Sequence, residues 1–499
     1  MKGNDSLVLL KGSSLSMLCQ VMGKGVAFAT NFIFARMLGP SLLGNYYLGI
    51  TLLTITSSVA AMGLPKGALR YVVEFRARKE KENIRSIIYI SILLGLSSSI
   101  IFMLIIFFFR ESIAVLFPNA NVALILRYLF WLLPFSILLP ILTEILRGCR
   151  QFTVIIFGQS FLWAVLILCS FLVIAFFSSD KMNTGHAFLA YIIGTVSIFL
   201  IYVVTLRKWL LNNTKSRAYK YNEVHITKNL VKTSLPLLIV SASSMLLTWT
   251  DTIMLGSLLD SKDVGIYGAA LRIAILISFI LGAINSVIPT LIGENYHSSN
   301  RGDLQCMLRT ICTWLVYLVI PLLIIFINFP KEIMTLFGTE FGAGYMVLVV
   351  LSLSQFINVF FGPVGYLLMM SGYERALSGI TVACGLLNVL GNWILIPKIG
   401  ILGAAISTGG TLVLQNLFMA SVALKQMKIK ATPKAPWFIA GIVLIMALIS
   451  FVLKDYKVTL RIISAGVELL IGGVLILKCV IDDSDKRLVA NVLKQVGIN

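Results

Sequence analysis

LGPSLLGNYYLGITLL (Leu38–Leu53) finds a counterpart 221 residues later in LDSKDVGIYGAALRIA (Leu259–Ala274), with Gly44 falling on Gly265 and Tyr46 on Tyr267. Each stretch is a short connection between two long apolar runs. The first joins Gly12–Met37 to Ser41–Met62, and the second joins Leu235–Leu258 to Val264–Ile288. The lag equals six such runs with their connections, so the chain reads as two homologous bundles. In transporters, repeated helical halves place a binding site between them near the bilayer midplane.

Working outward from the repeat, the 499 residues hold about fourteen apolar runs of roughly 18 to 28 residues, each long enough to cross about 30 Å of hydrocarbon as a helix. Mean hydropathy is +0.94. Hydrophobic residues make up 58% of the chain and charged residues 12%, and no stretch between runs is long enough for a soluble domain. Lipid offers the backbone no hydrogen-bond partner, and the runs are too long and too continuously apolar for barrel strands. The expectation is an all-α, polytopic membrane protein with about fourteen transmembrane helices. Its two pseudo-symmetric six-helix lobes would occupy 1–206 and 233–428, with a cytoplasmic linker at 207–232 and two further helices and a cytoplasmic tail in 429–499. Gly12–Met37 exceeds the length of a signal h-region and lacks a small-residue cleavage site, so it is expected to remain as the first helix.

Basic residues set the orientation. With the N-terminus cytoplasmic and the spans alternating, 29 of the 41 Lys and Arg fall on cytoplasmic segments and 9 on the opposite side. The remaining three, Lys24, Arg127 and Arg272, lie within spans. This positive-inside asymmetry predicts a multi-pass protein of the plasma (inner) membrane with both termini cytoplasmic. The net charge of +20 is then juxtamembrane charge facing anionic lipid, and no nucleic-acid partner is expected. The seven Cys form no CxxC pair and the three His lie outside or at the ends of spans, so no metal site, disulfide framework or histidine relay is predicted.

Charged residues at membrane depth cost about 2.5–3.5 kcal/mol each on insertion scales, so each needs a reason. In the first run Gln20, Lys24 and Asn31 share one helical face. Arg272 sits about two turns into the eighth run. Snorkelling to the interface accounts for Arg127 and is the simpler reading of Arg70 and Arg147, which leaves Lys24 and Arg272 as the cations that face the bundle interior. The later spans carry hydroxyl and amide stripes: Ser241, Ser244, Thr248 and Asp251; Gln355, Asn358, Gly362 and Gly365; Thr381, Gly385, Asn388 and Asn392. Such stripes serve either helix packing or ligand contact. Several in one lobe suit a hydrated cavity for sugar hydroxyls. Only Glu144, Asp251 and Glu468 are acids inside or at the edge of spans. Asp251 could pair with a cation, bind a coupling ion or cap the following loop, and Glu144 could serve in ion coupling or charge pairing. A pair of buried cations suits a phosphate.

Three segments carry a family resemblance. GPSLLGNYYLGI (Gly39–Ile50) followed by GLPKGALRYV (Gly63–Val72), WTDTIMLGSLLDSKDVGIYGAALRIA (Trp249–Ala274) and NVLGNWILIPKIGILGAAIST (Asn388–Thr408) resemble the oligosaccharide flippases. These are the O-antigen and polysaccharide-biosynthesis exporters of the multidrug/oligosaccharidyl-lipid/polysaccharide superfamily. The resemblance covers essentially the whole chain and implies a fold like the MATE transporters and the lipid II flippases. It also implies the cargo, a polyprenyl-pyrophosphate-linked oligosaccharide carried from the cytoplasmic to the outer leaflet. The related lipid II flippases place basic residues in helices 1, 2 and 8 around the pyrophosphate. Lys24 and Arg272 fall where that pattern puts two of them, and Arg70 is a looser match. Asn31, Asn358, Asn388 and Asn392 complete the expected substrate-binding set.

The expected function is therefore a flippase working by alternating access, with membrane lipids and the lipid-linked glycan as partners, along with glycan polymerase or glycosyltransferases of the same pathway. No cofactor and no catalytic residue are expected, and no GxxxxGK[ST] nucleotide loop occurs. One alternative is an organic-cation antiporter of the same fold, against which the first lobe lacks an acid near its midplane. Another is an intramembrane glycan polymerase or ligase, which would need a large external loop and a catalytic constellation.

Overall fold

The computed structural model describes residues 3–479 except 79, 118–121, 179–180, 214–222, 286–287, 298–300, 431 and 454–457. The middle of the expected linker 207–232 and the basic tail beyond Cys479 lie outside the described residues. Two compact units emerge, Met1–Gly268 and Ala269–Asn499.

In the first unit, α1 (Gly3–Ala60) absorbs both of the first two apolar runs. It bends at Gly39, whose φ of +73° lies in the left-handed region, immediately before Pro40. Proline disfavours helical geometry in the residue before it, and glycine takes the unusual dihedral without a Cβ clash. The expected loop thus shrinks to a one-residue joint. α2 (Leu64–Ala77) follows, burying Leu64, Gly67, Ala68, Val72 and Phe75 along one face. This segment was expected to be a basic connection, because its charges mask the apolar period. Then come α3 (Lys81–Val115) and α4 (Val122–Gly148). α5 (Phe152–Phe177) contains a π turn at Phe157–Leu162. α6 (Thr184–Asn213) and α7 (Glu223–Leu258) complete the set. α1 packs against α4, α5, α6 and α7, while α2 lies on α3, α4 and α7. Phe34 of α1 meets Phe171 of α5 at 4.1 Å between ring centroids, and Tyr46 meets Phe188 of α6 at 5.4 Å.

α8 (Ser261–Ile284) begins in the first unit and continues into the second. The second unit adds α9 (Ile288–His297), α10 (Arg301–Asn328) and α11 (Pro330–Leu336). α12 (Tyr345–Phe361), α13 (Val364–Met370), α14 (Glu374–Ile399) and α15 (Ile401–Val422) come next. α16 (Pro436–Leu453) and α17 (Val458–Cys479) end the described chain. α15 packs against both α12 and α14, and α10 against α12, α16 and α17. α9 and α13 share an apolar cluster that includes Ile288, Ile292, Val364, Leu367 and Leu368. The tenth run, expected as one span over Gly342–Met370, is broken. Gly362 takes φ +58° and Pro363 follows, so α12 ends and α13 begins anew. Proline supplies no N–H to continue the ladder. Gln355 and Asn358 therefore do not share a helical face with Gly362 and Gly365.

Among the described residues ten helices are long and apolar enough to cross a membrane, α1 counting as one of them. The fold is an all-α, multi-pass membrane architecture.

The repeated glycines of the opening alignment meet in space. Within the first unit the α1 segment after Pro40 crosses the start of α8 so tightly that a Cβ on Gly44 would penetrate the Ser261 carbonyl. A Cβ on Gly265 would likewise penetrate that of Pro40. The buried Ser261 Oγ donates to Asn45 Oδ1 at 2.6 Å beside this crossing. Glycine at helix crossings lets backbones approach where lipid supplies no hydrophobic drive. Gly44→Ala should lower stability by about 1–3 kcal/mol or more, because backbone and not a flexible side chain must move. Gly410→Ala, whose Cβ meets nothing within 4 Å, should be neutral. Thermal unfolding of the two purified variants in detergent checks both outcomes.

Candidate functional site

The first-run stripe sits on a helix held at close range. Gly23 lets α1 lie against the π turn of α5, where a Cβ would enter the Ser160 carbonyl. The next residue, Lys24, is exposed on α1. Two turns on, the half-buried Asn31 donates from Nδ2 to the Ala27 carbonyl at 2.7 Å and accepts from the Tyr47 hydroxyl at 3.1 Å. Arg70 is exposed on α2. Arg272 is half-buried on α8, in the second unit.

Asp251, 4% exposed, accepts from the Tyr267 hydroxyl at 2.5 Å. The two aligned stretches, both within the first unit, thus build the same device. A tyrosine after the joint bonds a polar group sixteen residues earlier, Tyr47 to Asn31 and Tyr267 to Asp251. The sequence alignment put Tyr46, not Tyr47, on Tyr267. Tyr46 instead packs among Phe34, Tyr47, Phe188 and Tyr191. The side chains of Ser241, Ser244 and Thr248, expected on the Asp251 stripe, lie outside the described residues.

Glu144 near the end of α4 is a charge-pairing residue. Its carboxylate takes Lys66 Nζ at 2.7 Å and Arg147 Nη1 at 2.8 and 2.9 Å. Arg76 Nη1 donates to the Gly148 carbonyl at 3.1 Å, satisfying an end carbonyl of α4 that has no intrahelical donor. α2 is thereby clamped to α4 at two points, and Arg70 lies exposed between them in the sequence. Sequence reading missed Lys66 because it falls 78 residues from its partner. Just past α4, outside the spanning segments, burial pushes the Cys149 thiol up to about 12, against the lowering influence of Arg76.

The amides of the second unit converge on α15. Asn388 Nδ2 donates to Thr408 Oγ1 at 2.8 Å, and Ser407 Oγ donates to the Asn388 carbonyl at 2.9 Å. Asn392 Nδ2 donates to Asn388 Oδ1 at 3.3 Å. Asn416 Nδ2 reaches Asn358 Oδ1 at 3.3 Å. Asn388 and Asn392 are 1% and 0% exposed, so both are embedded in the α14–α15 contact, whereas Asn358 is half-buried. In the first unit an apolar cavity of about 230 Å³, lined by Met62, Leu94, Ile101 and Val231 with Ser98 and Ser234, opens beside α2. No sequence motif marked it, because its lining comes from three separate segments.

The family described as polysaccharide biosynthesis protein matches residues 9–292, and the family described as MatE matches residues 236–394. A "probable low-salt glycan biosynthesis flippase Agl15" of Haloferax volcanii is 27% identical over 162 residues. That match covers 32% of this chain and 34% of the relative's length. An uncharacterized membrane protein of Methanocaldococcus jannaschii is 21% identical over 416 residues, covering 80% of each chain. Among solved structures, the lipid II flippase MurJ in an inward closed conformation superposes with a TM-score of 0.71 at 16% identity, covering 93% of this chain and 98% of the other. An inward-facing multidrug resistance MATE family transporter gives 0.67 at 14% identity, covering 83% and 98%.

Two outcomes follow from the α2–α4 clamp. A double-mutant cycle with Lys66→Met and Glu144→Gln, followed by thermal unfolding, should give a coupling of about 1 kcal/mol. Glu144→Gln alone should cost more than Lys66→Met, since it leaves Lys66 and Arg147 facing one another without a counter-charge. Cys149 should resist maleimide at neutral pH in the folded protein and react once it is unfolded, because the reactive thiolate forms only as pH rises toward about 12. Mass spectrometry of the labelled peptides reads this directly.

Proposed function

The chain belongs to the polysaccharide biosynthesis protein family, and on that premise we propose that it is a flippase for a polyprenyl-pyrophosphate-linked oligosaccharide. The head group is carried from the cytoplasmic to the outer leaflet of the plasma membrane by alternating access. Its dianionic, heavily hydroxylated character forbids unaided passage through hydrocarbon. Lys24 and Arg272 bind the pyrophosphate, Arg70 receives it at the membrane surface, and Asn31 and Asn358 contact the sugar. The buried Asn388 and Asn392 shape the lobe that carries those contacts. The prenyl tail stays in lipid. The two lobes, 1–206 and 233–428, are the moving parts, with both termini on the cytoplasmic side. Glycosyltransferases or a polymerase of the same pathway supply and remove the glycan. The step moves cargo without making or breaking a covalent bond.

The observation that carries this reading is Lys24: an exposed cation on a spanning helix, on one polar face with Gln20 and Asn31. Support also comes from two similar proteins, a probable glycan biosynthesis flippase and a lipid II flippase. A second reading, an organic-cation antiporter, is favoured by the MatE match over residues 236–394. Two of the three acids inside or edging the spans weigh against it, because Glu144 is committed to Lys66 and Arg147 and Asp251 accepts from Tyr267.

The test is flipping of a lipid-linked oligosaccharide by the purified protein in vesicles. A charge-assisted hydrogen bond to phosphate contributes about 1.5–3 kcal/mol. Lys24→Ala and Arg272→Ala should each weaken substrate binding by roughly ten- to a hundredfold. Full transport by both variants would refute the pyrophosphate clamp. Export of organic cations without glycan flux would establish the antiporter.

A further inference from the structure

Within the second unit, a buried polar cluster forms where α17 meets the end of α10. Asn328, the last residue of α10, is 2% exposed, Glu468 on α17 is 5% and Arg461 is 8%. Arg461 and Glu468 are seven residues apart and so share a helical face. The Arg461 guanidinium forks onto Glu332 in the first turn of α11, with Nη1 to Oε1 at 2.7 Å and Nη2 to Oε2 at 3.3 Å. Its Nη2 also donates to the Asn328 carbonyl, and the group sits 5.3 Å from the Phe329 ring centroid. Arg461 thus neutralises Glu332 and closes an end carbonyl of α10.

Glu468 has a different partner. Asn328 Nδ2 donates to Glu468 Oε2 at 3.1 Å and to the Ile324 carbonyl at 3.2 Å. Two acceptors on one atom identify it as the amide nitrogen and fix the orientation of the group. The opposite atoms of this pair, Glu468 Oε1 and Asn328 Oδ1, are buried with no hydrogen-bond partner. Both are acceptors, so the pair lacks a donor.

The charge balance is short in the same sense. Among the described residues the cluster holds one guanidinium, Arg461, against two carboxyls, Glu332 and Glu468. α11 otherwise brings only Lys331, which is exposed. α16 brings no titratable side chain. The charged residues of α10 are Arg301, Asp303 and Arg309, at least nineteen residues from Asn328, or about 28 Å along the helix. A buried carboxylate with a single hydrogen bond leaves most of its desolvation cost uncompensated. One proton on Oε1 removes the charge and creates the missing donor. A carboxylic acid and a primary amide complement each other through two hydrogen bonds, whereas a carboxylate can accept only the one seen here.

We propose that Glu468 is a proton-binding site, occupied in this conformation and completed by the Asn328 amide, through which the protein takes up and releases a driving proton. The proton arrives from water, forms the Oε1–H bond, and leaves by its cleavage when α17 and α10 part. The coupling to cargo rests on the flippase reading, but the site itself does not.

Infrared titration of the full-length protein in lipid nanodiscs reads the site without transport. A protonated-carboxyl carbonyl band present at neutral pH should vanish in Glu468→Gln, a variant that preserves shape and can still pair with Asn328. Thermal stability of the wild type should fall as pH rises and that proton is lost, while Glu468→Gln stays flat over the same interval. A band unchanged by Glu468→Gln overturns the proposal. So does stabilisation by sodium that Glu468→Gln abolishes with no such band, since it would assign a metal cation to a carboxylate. In vesicles, an imposed proton gradient should alter wild-type flipping and leave Glu468→Gln unresponsive; an equal response in both overturns the coupling. Failure of the wild type to flip the glycan, with the band intact, would remove the flippase reading and keep the proton site.

Discussion

The first unit depends on the crossing of two backbones at Gly44 and Gly265. Apolar side chains gain little by leaving lipid for one another, so helices in a bilayer associate through close packing and satisfied polar groups. Here the glycines remove every side-chain atom from the contact and the Ser261–Asn45 hydrogen bond lies beside it. The same segment holds the Gly39–Pro40 bend that turns α1 back on itself. The Tyr267–Asp251 pair sits within three turns of the crossing on either side of the second joint. A substitution that parts these backbones would disturb the joint and the polar pair together.

Polar residues in the spans divide by whether a protein partner satisfies them. Glu144, Asn388 and Asn416 each bond a residue of a neighbouring helix and act as glue. Arg70 is exposed on α2 and accessible to a ligand. Glu468 is a third case, buried and partnered on one oxygen only. In a low-dielectric surrounding, half-satisfied polar groups are unstable unless something else completes them.

The apolar runs were legible because they depend on local chemistry. α2 was missed because Lys66, Arg70 and Arg76 gave it the charge content of a loop, although its buried face recurs at helical spacing. The Gly362–Pro363 break was overlooked within a run whose composition stayed apolar on both sides. Tyr46 was aligned where Tyr47 does the work, since a one-residue shift changes helical face while barely altering a sequence match. The amide stripe at Asn388 and Asn392 was visible, but not its partner: packing and ligand contact require the same residue types.

By itself, the sequence determined that this is an all-helical membrane protein. Hydrocarbon imposes that answer on any chain so apolar, because the backbone must satisfy itself and charge must stay in water. Tertiary structure decided which polar groups are spent and which are left over. Lys66 finds Glu144 across 78 residues and Asn328 finds Glu468 across 140. No local pattern encodes such pairings, since they follow from which helix faces come together.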